Sequence, residues 1–88
     1  MFRSKFSDLV IDVPEGSSKE GVVIIQYGYN GRGNQRWVLE TLKKEFIIRN
    51  ICSNLVLCPQ NRALKNGNKI MQTQFTNHQS QKWVISRE

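Results

Sequence analysis

The sequence predicts an all-β fold made of two copies of one four-stranded unit. Sliding the chain by 46 positions lays it on itself without gaps. Each copy alternates short β-rich segments with polar turns carrying Gly, Asn or Ser. No window sustains a helical period. Self-similarity at a fixed period is decisive for architecture, because each copy is then one structural unit that buries its apolar face against its neighbour.

The copies match in order along the chain. "FRSKFS" lies over "IRNICS", and "SDLVID" over "SNLVLC". "EFIIRNI" and "NLVLC" flank Ser53-Asn54, a signal for a hairpin with a two-residue turn. A Gly-containing loop follows in each copy ("PEGSSKEG", "PQNRALKNG"), with Lys19 over Lys65 and Gly21 over Gly67. The next strand is "VVIIQYGY" or "KIMQTQF", with Ile24 over Ile70, Gln26 over Gln72 and Tyr29 over Phe75. A polar turn ("NGRGN", "TNHQS") leads to the last strand, "QRWVL" or "QKWVI". Pro14 and Pro59 fall just after the second strand, where a missing N–H does least harm. Gly16, Gly31 and Gly33 read as turn residues. On this reading the first repeat spans about 1–42 and the second about 46–88, with "ETLKKE" as a short join.

Composition narrows the function classes. The chain has 88 residues, a net charge of +6 and a pI near 9.8, which favours anionic partners. The basic residues are scattered, with no run longer than two, so nucleic acid is not the expected partner. The longest apolar run, "VVII", is too short for a membrane span. The first ten residues lack the apolar stretch of a signal peptide. Cys52 and Cys58 are expected as thiols outside any disulfide, because a turn at Ser53-Asn54 sets Cys52 beside Leu55 and leaves Cys58 out of register. With the lone His78, read as a solvated loop residue, they make no metal constellation, and no cofactor is expected. Nor is an enzyme. Asp8, Asp12, Glu15 and Glu20 form no acid/base pair, and Cys58 with His78 lacks an orienting third group.

Four short strands closed by Gln-x-Trp ("NQRW", "SQKW"), with "LVIDV", "IIQYGYNG", "NLVLCP" and "KNGNKI" in register upstream, resemble the ricin B-type lectins over almost the whole chain. The resemblance implies a β-trefoil, three such units around a pseudo-threefold axis. It implies that Trp37 and Trp83 are core residues and that Gln35 and Gln81 hold the last loop by hydrogen bonds to backbone. It also implies a sugar site made of an Asp, a stacking aromatic and an Asn before the Gln-x-Trp.

The first copy has these parts: Asp12, Tyr27 and Asn34, with Gln35 beside them. A carboxylate accepts charge-assisted bonds from sugar hydroxyls, a ring covers the apolar face of a galactose-like sugar, and an amide both donates and accepts. Tyr29, matched to Phe75, is expected in the core, and is the substitute ring if the register is off. The second copy has Cys58, Thr73 and Ser80 instead and is expected to be structural. Arg32 and Lys19 are expected to border the site, which motivates acidic glycans as a narrower ligand class. The expected function is a lectin module for galactose-type glycans. The alternative is a non-catalytic interaction subunit of a toxin or secreted enzyme with a vestigial sugar site. Two units are one short of a trefoil, so a homo-oligomer, a partner chain, or a longer chain of which these residues are a fragment, is expected to supply the third.

Overall fold

The structure is a computed structural model that describes residues 1–60 and 66–84. Lys65, the loop residues 61–65 and the end of the last strand at Ile85 lie outside the described residues. Among the described residues there is no α-helix; the chain forms six strands and three single 3-10 turns. The strands are β1 (Val10–Asp12), β2 (Ile25–Tyr27), β3 (Trp37–Leu42), β4 (Glu45–Asn50), β5 (Val56–Pro59) and β6 (Ile70–Thr73). They make an antiparallel pair, β1-β2, and an antiparallel sheet in the order β3-β4-β5-β6.

The "ETLKKE" segment is more than a join. Glu40, Thr41 and Leu42 end β3, Glu45 begins β4, and only Lys43 and Lys44 turn between them. Lys43 takes a left-handed conformation, with φ 58°, to make that turn. The six-pair ladder from Trp37↔Asn50 to Leu42↔Glu45 is the longest in the described structure, and it fastens one repeat to the next. The next hairpin also differs from expectation. Asn50 N–H donates to Leu55 O at 2.9 Å, so the turn is the four residues 51–54 rather than Ser53-Asn54 alone. Asn50 causes this, since its side-chain oxygen accepts from the N–H groups of Cys52 (2.9 Å) and Ser53 (3.0 Å) and winds the backbone around itself. Ser4 does the same one repeat earlier, accepting from Phe6 and Ser7. Cys52 is therefore in an exposed loop and Cys58 in a buried strand, and neither forms a disulfide.

The repeat extends to atoms. Left-handed residues recur 46 apart: Asp8 with Asn54, Gly21 with Gly67, Gly31 with Asn77. Arg3 donates to Asp8 O and its guanidinium lies 5.7 Å from the Tyr29 ring centroid; Arg49 donates to Asn54 O and lies 5.9 Å from that of Phe75. Tyr29 is thus not a core residue. Tyr29 is 55% exposed, with a cation–π contact from Arg3 on its ring, while Phe75 is half-buried.

Val13, Trp37 and Leu57 form the centre of the core, with Ile11, Val22, Ile24, Ile48, Ile70 and Trp83 packed against it. Trp37 is buried and its Nε1–H donates to Ile11 O at 3.3 Å; Trp83 is half-buried and donates to Leu57 O at 3.1 Å. Both tryptophans are packing residues that satisfy their one polar group on backbone.

The units also meet through polar groups. Gln72 is fully buried, and its Nε2 donates to Ser17 O and Lys19 O, each at 2.9 Å. The Glu20 carboxylate accepts from Gln74 N–H and Thr73 O–H, both at 2.9 Å. These two bonds, the backbone one first, hold the Glu20 carboxyl below the usual range for a glutamate. A lowered folded-state value means that the ionised form favours the native state. The contribution is present above the ordinary glutamate range and is lost as pH falls through the lower folded value. Urea midpoints measured from neutral to acid pH should show a decline of which Glu20→Gln lacks one part; identical profiles for the two proteins would contradict this.

Candidate functional site

A cleft of about 550 Å³ opens beside β1 and β2, lined in part by Asp12, Ile25, Tyr27, Asn30, Arg32 and Asn34. The strand pairing explains the grouping. Asp12 faces Ile25 and Val10 faces Tyr27 across the β1-β2 pair, so Ile25 and Tyr27, two apart, project from one face of β2 beside Asp12. Tyr27 is 59% exposed at the mouth. Asn34 arrives from the 3-10 turn Gly33–Gln35. Pro14, Glu15 and Gly16 form the opposite lip in a turn whose last two residues are left-handed, at φ 57° and 63°.

Asp12 is at the floor and is 3% exposed. Its Oδ2 accepts from Gln35 Nε2 at 2.9 Å and from Asn34 Nδ2 at 3.2 Å. Two donors on one oxygen compensate the burial of the carboxylate and fix its orientation. Oδ1 takes no hydrogen bond from the described residues and is the oxygen left for a ligand. The other Asn34 amide hydrogen goes to Val13 O at 3.1 Å. Both Asn34 donors are thus used inside the protein, and Asn34 offers a ligand its oxygen alone, where the sequence suggested donor and acceptor.

Gln35 lies behind the cleft. It is fully buried, donates to Asp12 and to Gly28 O (2.8 Å), and accepts from Asn30 N–H (2.8 Å). Through one amide it ties the turn after β2 to the floor, so it positions Asp12 and does not line the cleft. Gln81 does the first half of this job, donating to Gln74 O at 2.7 Å and accepting from Thr76 N–H at 2.8 Å. Both glutamines hold the loop before them by backbone hydrogen bonds, as their place in Gln-x-Trp implies.

Arg32 is at the cleft as expected, but Lys19 is not; its carbonyl instead meets Gln72 on the second unit. Glu15 also lines this cleft, a position that nothing in the repeat pattern singles out.

The ricin-type β-trefoil lectin domain-like family model matches residues 1–73. The chain belongs to this family of carbohydrate-binding modules. No curated protein sequence matches it. Three solved structures superpose over 93% of the chain. A designed threefold-symmetric protein, ThreeFoil, is 26% identical with a TM-score of 0.90, and the chain spans 59% of it. An exo-β-1,3-galactanase from Clostridium thermocellum is 24% identical with a TM-score of 0.89, and the chain spans 18% of it. A Polyporus squamosus lectin, bound to the human-type influenza-binding epitope Neu5Acα2-6Galβ1-4GlcNAc, is 24% identical with a TM-score of 0.77, and the chain spans 29% of it. The chain thus spans less than two thirds of each. The last two likenesses establish the fold, an all-β partial trefoil. Among the described residues no helix is long and apolar enough to cross a membrane.

Within the lectin fold the second unit carries a matching but smaller cleft, of about 210 Å³, lined by Cys58, Met71, Thr73, Thr76, His78 and Ser80 among others. These six are the residues 46 positions after Asp12, Ile25, Tyr27, Asn30, Arg32 and Asn34. The scaffold is kept and the chemistry is exchanged: thiol for carboxylate, hydroxyl for ring. His78 is half-buried and works as a cap. Its Nδ1 accepts from Ser80 N–H at 3.0 Å and sits 2.8 Å from Ser80 Oγ, where a freely solvated side chain was expected.

Removing Gln35 leaves Gly28 O, Asn30 N–H and a buried carboxylate short of partners; removing Gln81 strands only backbone groups and Thr76. Gln35→Ala should therefore cost at least about 2 kcal/mol in urea unfolding, and more than Gln81→Ala. An equal or smaller loss at Gln35 would show that the link to Asp12 carries no stability.

Proposed function

We propose that this lectin module binds a galactose-type sugar in the first unit's cleft, through Asp12, Tyr27 and Asn34, with Gln35 holding Asp12 in place. The observation that carries this reading is the pairing of a fixed, almost buried carboxylate with an exposed tyrosine ring on one cleft. Asp12 Oδ1 and Asn34 Oδ1 are the acceptors for sugar hydroxyls, and Tyr27 covers the apolar ring face. Cys58 and Thr73 supply neither function, so the second unit is structural in this reading. A single shallow site binds weakly, and useful avidity comes from association, with further copies or with a partner chain.

Arg32 supports a preference for acidic galactosides, since it is the one cation that lines the cleft among the described residues. Glu15 on the same cleft opposes it, so the preference rests on which of the two lies nearer the ligand's charge. Binding that weakens with added salt supports the acidic class; salt-insensitive binding to a neutral sugar counts against it.

The test is a glycan array on the wild type, Asp12→Ala and Tyr27→Ala. Both variants should lose binding to galactose-terminated glycans by about tenfold or more, given the usual strength of charge-assisted bonds and aromatic contacts. Tyr27 is exposed, so its removal leaves the fold intact and keeps the test decisive if Asp12→Ala is destabilised. Equal binding by all three proteins would end the assignment. No binding by a folded wild type would favour the interaction-subunit reading.

A further inference from the structure

Asn50 uses only its side-chain oxygen to wind the first loop of the second unit. Its amide nitrogen serves a different segment. Nδ2 donates across the unit boundary to Gly33 O (3.4 Å), Asn34 O (3.3 Å) and Arg36 O (3.3 Å). Two hydrogens serve three carbonyls, and all three belong to the turn that carries Asn34 and Gln35 or to Arg36, which ends it. Ile51 N–H adds a bond to Arg36 O at 2.9 Å. The approach is close. A methyl group built on Gly33 would stand 3.2 Å from Cys52 Cβ and 3.5 Å from Ile51 Cγ2, so loop and turn pack with little room for a side chain between them.

The first unit separates the two tasks of Asn50. Ser4, 46 positions earlier, winds its own loop in the same way, with Oγ accepting from the N–H groups two and three residues on. The backbone agrees as well. Ser4 N–H donates to Leu9 O and Asp8 N–H to Ser4 O, as Asn50 N–H donates to Leu55 O and Asn54 N–H to Asn50 O. Winding therefore requires a side-chain acceptor and no donor. The donor of Asn50 is extra to its own loop, yet the residue is fully buried, so its N–H groups need partners. They find them on the neighbouring unit's turn. That turn is also tied to Val13, the residue after Asp12: Val13 N–H donates to Asn34 O at 3.0 Å, and Asn34 Nδ2 donates to Val13 O at 3.1 Å. Asn34 is thus fastened both to its own unit and to the next.

We propose that Asn50 is a positioning residue for the first unit's cleft. Through its amide the second unit fixes the Gly33–Gln35 turn. That fixes the Asn34 oxygen offered to a ligand and the Gln35 nitrogen that orients Asp12. The proposal rests on the sugar reading of this cleft. A set of binding groups works well only when the residues that carry it are themselves held in place. The second unit, whose own cleft has neither carboxylate nor ring, contributes to binding in this way. The latch sets how tightly a cleft binds and not how many clefts the chain has.

The test is Asn50→Ser, which gives the second unit's loop the residue that winds the first unit's. Each carbonyl that loses Asn50 keeps another donor: Gly33 O has Arg36 N–H, Asn34 O has Val13 N–H and Arg36 O has Ile51 N–H. The variant should therefore fold. Calorimetry with a galactose-terminated oligosaccharide should show binding weakened by about threefold to tenfold, the weight of one net hydrogen bond, at unchanged stoichiometry. The NMR signals of the Asn34 side-chain amide should shift even without ligand. Ser4→Ala controls for a general loss of stability, since it removes the equivalent winding bonds in the first unit and should bind like the wild type. Gly33→Ala presses on the same turn with Asn50 in place and should also weaken binding, so it keeps the test decisive if Asn50→Ser fails to fold. A folded Asn50→Ser that binds as tightly as the wild type would overturn the proposal. So would equal weakening by Ser4→Ala. A folded wild type that binds no galactoside would end the sugar reading instead, and the Asn34 signals would still decide whether Asn50 holds the turn.

Discussion

One buried amide organises the first unit of this molecule. Gln35 has no access to solvent, and both ends of its side chain are tied to the chain: the oxygen to the turn after β2, the nitrogen to Gly28 and to Asp12. A buried amide is expensive unless every polar atom finds a partner. Here that requirement determines where the loop runs and where the carboxylate sits. The tryptophan two residues on anchors the same segment in the core, through its ring and its bond to Ile11 O. Gln-x-Trp is therefore a coupled device, with a polar lock facing the loop and an apolar peg facing the core.

The same device in the second unit shows what is scaffold and what is chemistry. Gln81 makes the two loop bonds that Gln35 makes, and Trp83 donates to the strand as Trp37 does. What is absent is the bond to the second-strand carboxylate, because Cys58 stands there. The lock works without a carboxylate, so Asp12 is not needed to close a unit. Its presence in the first unit, under two donors and beside an exposed ring, is what distinguishes that cleft from the one in the second unit.

Much of this was legible in the sequence because the repeat is gapless. Sliding by 46 identified three strands in each unit, the two glutamines, the two tryptophans and the three residues that line one cleft; among the described residues the first strand expected in unit one and the last expected in unit two are present only as the bridges Arg3↔Val10 and Phe46↔Trp83. The alignment fails where a position keeps its residue class and changes its neighbours. Tyr29 over Phe75 reads as a shared core ring, but both rings take a cation–π partner, Arg3 or Arg49, and the first stays on the surface. That pair of arginines was visible in "FRSKFS" over "IRNICS", but a lone repeated arginine carries no sign of its ring. The pattern reads as a turn at Ser53-Asn54, but the winding comes from a side chain, Asn50, several residues upstream. Charge and proximity in sequence point Lys19 at the cleft, but they do not say which unit a loop covers, and its carbonyl meets Gln72 instead.

If the units share a scaffold and differ only in what lines the cleft, the chemistry should be transferable. The triple variant Cys58→Asp, Thr73→Tyr, Ser80→Asn puts the first unit's residues onto the second. Titration calorimetry with a galactose-terminated oligosaccharide measures the number of sites per chain directly. The account predicts one site in the wild type and two in the folded triple variant, with Gln81 now supplying the donor to the new carboxylate. A wild type that binds at one site and a folded triple variant that still binds at one would contradict it, showing that the cleft needs more than these residues and their lock.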